Sequence, residues 1–279
     1  MPSILYGLLA ALGWGAADFS GGLASKGSSP HRVILLGEVV GLTVLLIPAL
    51  ITHEPPPPLS AILWSSTASI IGTTGLIVLY RALATGKMSL AAPVSAMLAG
   101  VVPILVGMFT QGIPSLLTFF GFGLALASIW FISQDGNPFE SRVFITKDLR
   151  LPLLAGIGFG LYFVLMHRAG QEAIFWALVS ARAAGTIYLI FYSLVVKGPL
   201  LPERKDWKLS VLSGILDVTG NAFFIFAGRA GRMDVAAILS SLYPAATVLL
   251  AYLVLKERVK PIQVGGILLA LGAIALMTI

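Results

Sequence analysis

Ten times along its 279 residues the chain runs for about 20 residues with almost no charge, and the intervals between these runs are short. A helix of that length rises about 30 Å, the thickness of a bilayer's hydrocarbon core. The runs fall at about 4–24, 32–52, 60–83, 89–109, 115–133, 151–169, 174–196, 208–229, 235–255 and 261–279. "HEPPPP" at 53–58 cannot continue a helix and reads as a stiff polyproline-type turn. "SQDGNPFESRVFITKDLR" at 133–150 is the longest polar connection. Only 11% of the residues are charged, against about 25% in a typical soluble domain, too few to cover a water-facing surface. The chain reads as an all-α integral membrane protein with ten transmembrane helices, so its partner is the lipid bilayer and its function sits inside the bundle.

The composition also excludes several classes. The net charge of +6 is scattered through short loops rather than striped along one face, so nucleic acid is not a partner. Cysteine is absent, which removes disulfides, thiolate catalysis and Cys-metal sites. The three histidines, His31, His53 and His167, fall near span boundaries without ligand spacing. No Walker loop, His/carboxylate cluster or Ser-His-acid set is present, so neither an enzyme, a metal nor a cofactor is expected. "GAADFSGG" is glycine-rich but lies within a span and follows no strand. "MPSILYG" lacks a basic leader and is read as entering a retained span.

The two halves are related. A displacement of 145 places Gly13-Trp14-Gly15 on Gly158-Phe159-Gly160, Thr74-Gly75 on Thr219-Gly220, Gly86-Lys87-Met88 on Gly231-Arg232-Met233, and Gly121 on Gly266. Residues 1–133 thus form a first five-span repeat, 134–150 a connection, and 151–279 a second repeat. With an odd number of spans per repeat, the second copy enters the membrane from the opposite side. Such inverted repeats characterise many secondary transporters, whose sites lie near the midplane.

"GWGAADFSGGLASK" in the first span and "AAILSSLYPAATVLLAYLVLKERVKPIQVGGILLALG" from the ninth into the tenth resemble EamA-type transporters of the drug/metabolite transporter superfamily. The carrying features are Pro244, then Lys256-Glu257-Arg258, then Gly265-Gly266. The first repeat departs from this pattern, since Gly112-Ile113 stand where Glu257-Arg258 stand in the second. The resemblance covers essentially the whole chain. It implies transport of a small metabolite, with spans 1, 3, 4, 6, 8 and 9 lining a central cavity.

Orientation follows from basic residues, which collect on the cytoplasmic side. Fourteen of the 18 Lys and Arg fall in or beside the connections 1–2, 3–4, 5–6, 7–8 and 9–10, while Arg168, Arg229 and Arg232 lie at the other face. The charge bias puts both termini outside the cell; the family resemblance implies the reverse. The charge count is followed here because it acts on this chain directly.

Four ionisable residues lie within predicted spans: Asp18, Glu38, Arg182 and Asp217. A charge at the bilayer centre costs roughly 2.5–3.5 kcal/mol, so together they oppose insertion by about 10 kcal/mol and are expected to face the bundle interior. Asp217 lies about 14 Å along the helix from Lys208 and about 18 Å from Arg229, near mid-membrane. It reads as a cavity group for a cationic substrate or a proton, or as a structural carboxyl bonded to a neighbouring helix. Asn221, one turn on, shares its face. Arg182 could hold a substrate carboxylate; a displacement of 144 sets it opposite Glu38, so a structural ion pair is the competing reading. Glu38, six residues past Arg32, could instead snorkel to the interface. Asp18 shares a face with Trp14, a pairing suited to a cation or a flat ring, or to plain packing.

Ser240, Tyr243 and Pro244 are expected to interrupt the ninth span, because proline removes the hydrogen bond to the carbonyl of residue 240. Pro93, Ser95 and Pro103 are expected to break the fourth in the same way. Gly156 and Gly160, and Gly266 and Ala270, form small-residue faces for close helix approach within the bundle or in a homodimer. The expected substrate site comprises Trp14, Asp18, Ser95, Phe159, Tyr162, Arg182, Asp217, Asn221, Ser240 and Tyr243. Its acids point to an amine-bearing substrate, or to an amino-acid-like zwitterion if Arg182 reaches the cavity. The expected activity is secondary transport of that small molecule, as an exporter in the plasma membrane, by alternating access and with proton coupling through Asp18 or Asp217. A uniporter, a channel and a lipid-handling protein are the rivals.

Overall fold

The computed structural model describes residues 2–85, 88–132, 150–256 and 260–278, and their side chains apart from 79–85, 88–94 and 278. The helices are α1 (Pro2–Ala24), α2 (Pro30–Ile51), α3 (Leu59–Thr85), α4 (Met88–Thr110), α5 (Leu116–Ile132), α6 (Arg150–Glu172), α7 (Phe175–Val195), α8 (Trp207–Ala230), α9 (Met233–Ser240), α10 (Tyr243–Leu255) and α11 (Pro261–Thr278). Among the described residues, seven stretches are long and apolar enough to cross a membrane, with α9 and α10 counted together as Met233–Leu255. Three more apolar stretches are shorter: Ser95–Thr110, Leu116–Ile132 and Pro261–Met277. The polar connection at 133–149 and the pair Glu257-Arg258 lie outside the described residues.

The ninth span is broken where Pro244 requires it. Helical bonding ends at Ser240, resumes at Tyr243, and Pro244 sits in the first turn of α10, where its missing N–H leaves no intrahelical bond unmade. The expectation for the fourth span is corrected: α4 runs from Met88 to Thr110 through Pro103. One proline deletes one backbone hydrogen bond, and the remaining ladder carries the helix past it.

Glycines bring the helices together in pairs that repeat with the displacement seen in the sequence. A Cβ on Gly13 of α1 would stand 2.9 Å from Gly220 Cα of α8, and one on Gly158 of α6 would stand 3.4 Å from Gly75 Cα of α3. Gly15 abuts Ala246 and Thr247 of α10 as Gly160 abuts Val102 of α4. Gly121 of α5 meets Met277 of α11, and Gly266 of α11 meets Ile132 of α5. In each case, adding 145 to one partner and subtracting it from the other turns the first contact into the second. The small-residue faces on α6 and α11 are thus filled inside the chain, by α4 and α5.

Hydrogen bonds sort the connections onto two ends. At one end, Ser28 Oγ donates to Asp206 Oδ2 (2.8 Å) and accepts from Glu203 N–H (2.8 Å), which ties connection 1–2 to 7–8. At the other, Glu54 accepts from the N–H groups of Ile174 (2.6 Å), Phe175 (2.9 Å) and Trp176 (3.0 Å) and so caps α7. Arg229 donates to the carbonyls of Gly170 and Gln171, and Arg232 to those of Gln111 and Gly112. Two of the three basic residues at this end therefore cap carbonyls, Arg229 those in the last turn of α6 and Arg232 those of the loop after α4.

Candidate functional site

A polar cluster crosses the middle of the bundle. Arg182 of α7, 9% exposed, donates through Nη1 to Glu38 Oε1 of α2 (2.8 Å) and through Nη2 to Asp217 Oδ2 of α8. Asn221 Nδ2 donates to the Asp217 carbonyl (2.7 Å) and to its Oδ2 (3.1 Å), and Tyr162 of α6 donates its hydroxyl to Asn221 Oδ1. Four helices are thus joined by one chain of hydrogen bonds. Two glycines make room for it: Gly41 faces Arg182, and Gly185 faces Glu38 Oε2 and Ser69 Oγ. Gly41 and Gly185 are 144 apart, as are Glu38 and Arg182. The displacement seen in the sequence is therefore a contact. The snorkelling reading of Glu38 is corrected: the residue is 6% exposed, because its partner lies in the core and not at the interface.

The cluster is not electrically balanced, since two carboxylates share one guanidinium. Asp18 of α1 adds a third acid. It has no ion pair among the described residues and interacts with Asp217 as a like charge.

Both acids look inward. At about 100° per residue, Asp18 lies about 120–140° round α1 from the exposed Leu5 and Leu12, but only about 20–40° from the buried Ala11 and Trp14. Yet Asp18 itself is exposed, as is Gly22 one turn on. A stripe shut at Ala11 and Trp14 and open at Asp18 and Gly22 describes a hollow that widens toward connection 1–2. On α8, Asp217 lies about 140–160° from the exposed Leu212, Ile215 and Thr219, again on the inner side. Its side chain is 36% exposed, while that of Glu38 is 8% exposed. The hollow therefore reaches Asp217 and stops short of Glu38. An apolar groove of about 580 Å³ along Pro2, Ile4, Leu5, Tyr6 and Leu8 lies toward the opposite end of α1 and carries none of these charges.

The other expected site residues divide by exposure. Phe159, Tyr162 and Tyr243 are half-buried. Trp14 is buried, stacked on Phe163 (5.3 Å between centroids) and tilted against Phe224 (5.8 Å). Ser95 and Ser240 are fully buried. In this conformation these three present almost no surface to a solute. Three buried or capping acids were not foreseen, the first being Asp206, buried beneath Ser28. Asp234, fully buried, is held by Arg232 Nε (3.0 Å) and Nη2 (2.7 Å); an acid in the first turn of a helix was the available signal. Glu54 acts on α7, more than a hundred residues away, and no local pattern marks it. Among the described residues, no three His, Cys, Asp or Glu side chains could hold a metal ion.

A solved crystal structure superposes on 99% of this chain and 96% of its own with a TM-score of 0.79, at 15% identity, a likeness of fold alone. An uncharacterised protein of Methanocaldococcus jannaschii is 29% identical over 122 residues, which make up 44% of this chain and 88% of that relative. The model of the EamA-like transporter family matches residues 1–134 and 149–279, nearly the whole chain. That family lies in the drug/metabolite transporter superfamily, and its members are multi-pass membrane transporters rather than enzymes. This chain belongs to the EamA-like transporter family.

Proposed function

We propose that this transporter carries a small amine-bearing metabolite by alternating access between two inverted repeats, residues 1–133 and 151–279, and that Asp18 is the anchor for the cationic group. The observation that carries the reading is the Asp18 carboxylate, without an ion pair among the described residues, at the open part of an inward-facing stripe. Asp217 faces the same hollow, but it already has Arg182 as an ion-pair partner. With both terminal nitrogens of Arg182 engaged, a substrate carboxylate would have to displace a protein acid, so a simple amine is favoured over an amino acid. Tyr162, Phe159 and Tyr243 supply aromatic surface on which such a cation can rest. The contact pairs related by 145, and a relative about half this chain's length, support the two-repeat division.

The hollow widens toward the end that bears Lys26, Arg204, Lys205 and Lys208. By charge count this is the cytoplasmic side of the plasma membrane, where an exporter takes up its load. The test is a ligand panel of amines, amino acids, sugars and nucleosides, read as thermal stabilisation of the purified protein. Amines are expected to stabilise the wild type, and Asp18→Asn to lose at least about tenfold in affinity for them, the loss of roughly one charge-assisted contact. A best ligand without a cationic group, or one bound equally by Asp18→Asn, overturns the proposal.

A further inference from the structure

The two glycines of the central cluster each leave a gap where a side chain would stand, and the gaps are bordered differently. A Cβ on Gly41 would stand 2.5 Å from Val218 Cγ1, 3.4 Å from Arg182 Cδ and 3.5 Å from Arg182 Nε, so that gap takes the stem of the arginine. A Cβ on Gly185 would stand 2.7 Å from Ser69 Oγ and 3.0 Å from Glu38 Oε2, so the second gap lies between two oxygens. Glu38 and Ser69 are each only 6% exposed. Oε1 of Glu38 accepts from Arg182, but the buried Oε2 has no hydrogen-bond partner among the described residues.

An ionised carboxylate can only accept hydrogen bonds, and an oxygen left dry and unpaired is costly. The charges do not balance either, since Arg182 also serves Asp217. A proton on Oε2 removes both faults. Oε1 stays a carbonyl acceptor for Arg182 Nη1, and Oε2 gains an O–H that points across the gap toward Ser69 Oγ. A metal ion suits the gap poorly, because the gap offers a carboxyl oxygen and a hydroxyl beside a guanidinium that already holds the other carboxyl oxygen.

The titratable groups around Glu38 agree with this. From α7 comes Arg182, from α8 Asp217, and from α6 Tyr162, whose hydroxyl is spent on Asn221. The described side chains of α3, residues 59–78, include none that titrates. On α2 itself, His31 and Arg32 lie nearly two turns away. Asp18 of α1 borders the hollow, where water supports it in either protonation state, whereas the hollow stops short of Glu38.

We propose that Glu38 is a proton-binding site of this carrier, with the proton held on Oε2 in the gap between Gly185 and Ser69. Through Arg182 that proton feels the charge on Asp217, which borders the hollow. The site does not depend on which solute the hollow takes, so it stands or falls apart from the amine reading.

Infrared spectra of the purified full chain without ligand test it. A protonated carboxyl has a C=O band that a carboxylate lacks. At neutral pH the wild type is expected to show such a band, which isotope labelling of glutamate moves, labelling of aspartate leaves in place, and Glu38→Gln removes. Ser69→Ala takes away the acceptor for the O–H, so its band should vanish at a lower pH than that of the wild type. A folded chain that holds one more proton than the unfolded chain loses stability as pH rises. The unfolding constant of the wild type should therefore climb more steeply with pH than that of Glu38→Gln, by up to about tenfold per pH unit. Should Glu38→Gln fail to fold, Glu38→Asp keeps a carboxyl and should transfer the label sensitivity of the band from glutamate to aspartate. No glutamate-labelled band at neutral pH, a band that Ser69→Ala leaves unmoved along the pH axis, or a stability that follows sodium concentration rather than pH overturns the proposal.

Discussion

Arg182→Leu will destabilise the protein by about 3–5 kcal/mol, the usual consequence of removing one partner from a buried ion pair. The reason lies in the count of charges rather than in one bond. Arg182 is the single cation among the described residues of the central cluster, and it satisfies both Glu38 and Asp217. Without it, two carboxylates on α2 and α8 face each other across the bundle with only Asn221 still donating to one of them. The account also predicts repair. Adding Glu38→Gln and Asp217→Asn to Arg182→Leu removes both orphaned charges and should restore most of the loss, because a buried ion network replaced as a whole is often close to neutral. Thermal unfolding in detergent checks both. A single Arg182→Leu within about 1 kcal/mol of wild type would show that the cluster is solvated rather than buried.

Gly15→Ala is the second large effect. Its Cβ would stand 2.5 Å from the Tyr243 carbonyl oxygen, 2.5 Å from Ala246 Cβ and 3.0 Å from Thr247 N. Two of these three atoms are backbone and cannot rotate away, so α1 and α10 must separate. The separation also strains the hydrogen bond from Thr247 Oγ1 to the Gly15 carbonyl (3.0 Å). Overpacking of about 1–3 kcal/mol plus that bond gives a loss of about 3 kcal/mol. Gly158→Ala is the control. Its nearest atoms are 3.4 Å away, ordinary contact distance, and alanine favours the helix by up to about 1 kcal/mol. It should be neutral or slightly stabilising in the same unfolding experiment. A Gly158→Ala loss as large as that of Gly15→Ala would mean that the helix spacings are not those described.

Much of the architecture was legible because lipid leaves few choices. Apolar runs of fixed length must be helices, and Pro244 marked the break between α9 and α10 since a missing N–H is a local fact. The opposition of Glu38 and Arg182 was legible from one displacement. Asp217 was harder. Sequence identified it as deep, but whether it stood free depended on α7 lying beside α8, and packing between helices leaves no periodic trace in either. The sequence therefore left both Asp217 and Asp18 as candidate cavity acids, while geometry gives Arg182 to Asp217 and leaves Asp18 without an ion pair among the described residues. Pro103 misled for the opposite reason: a local rule predicted a break that the neighbouring helical bonds prevent.

The central claim is that Asp18 borders water inside the bundle and not lipid outside it. Single-cysteine variants Asp18→Cys, Leu12→Cys and Ala11→Cys in sealed vesicles test this most directly, each offered a membrane-impermeant maleimide from one side at a time. The account predicts that Asp18→Cys reacts from the side of connection 1–2 only, whereas lipid-facing Leu12→Cys and buried Ala11→Cys react from neither. An Asp18→Cys thiol as inert as those two from both sides would contradict it.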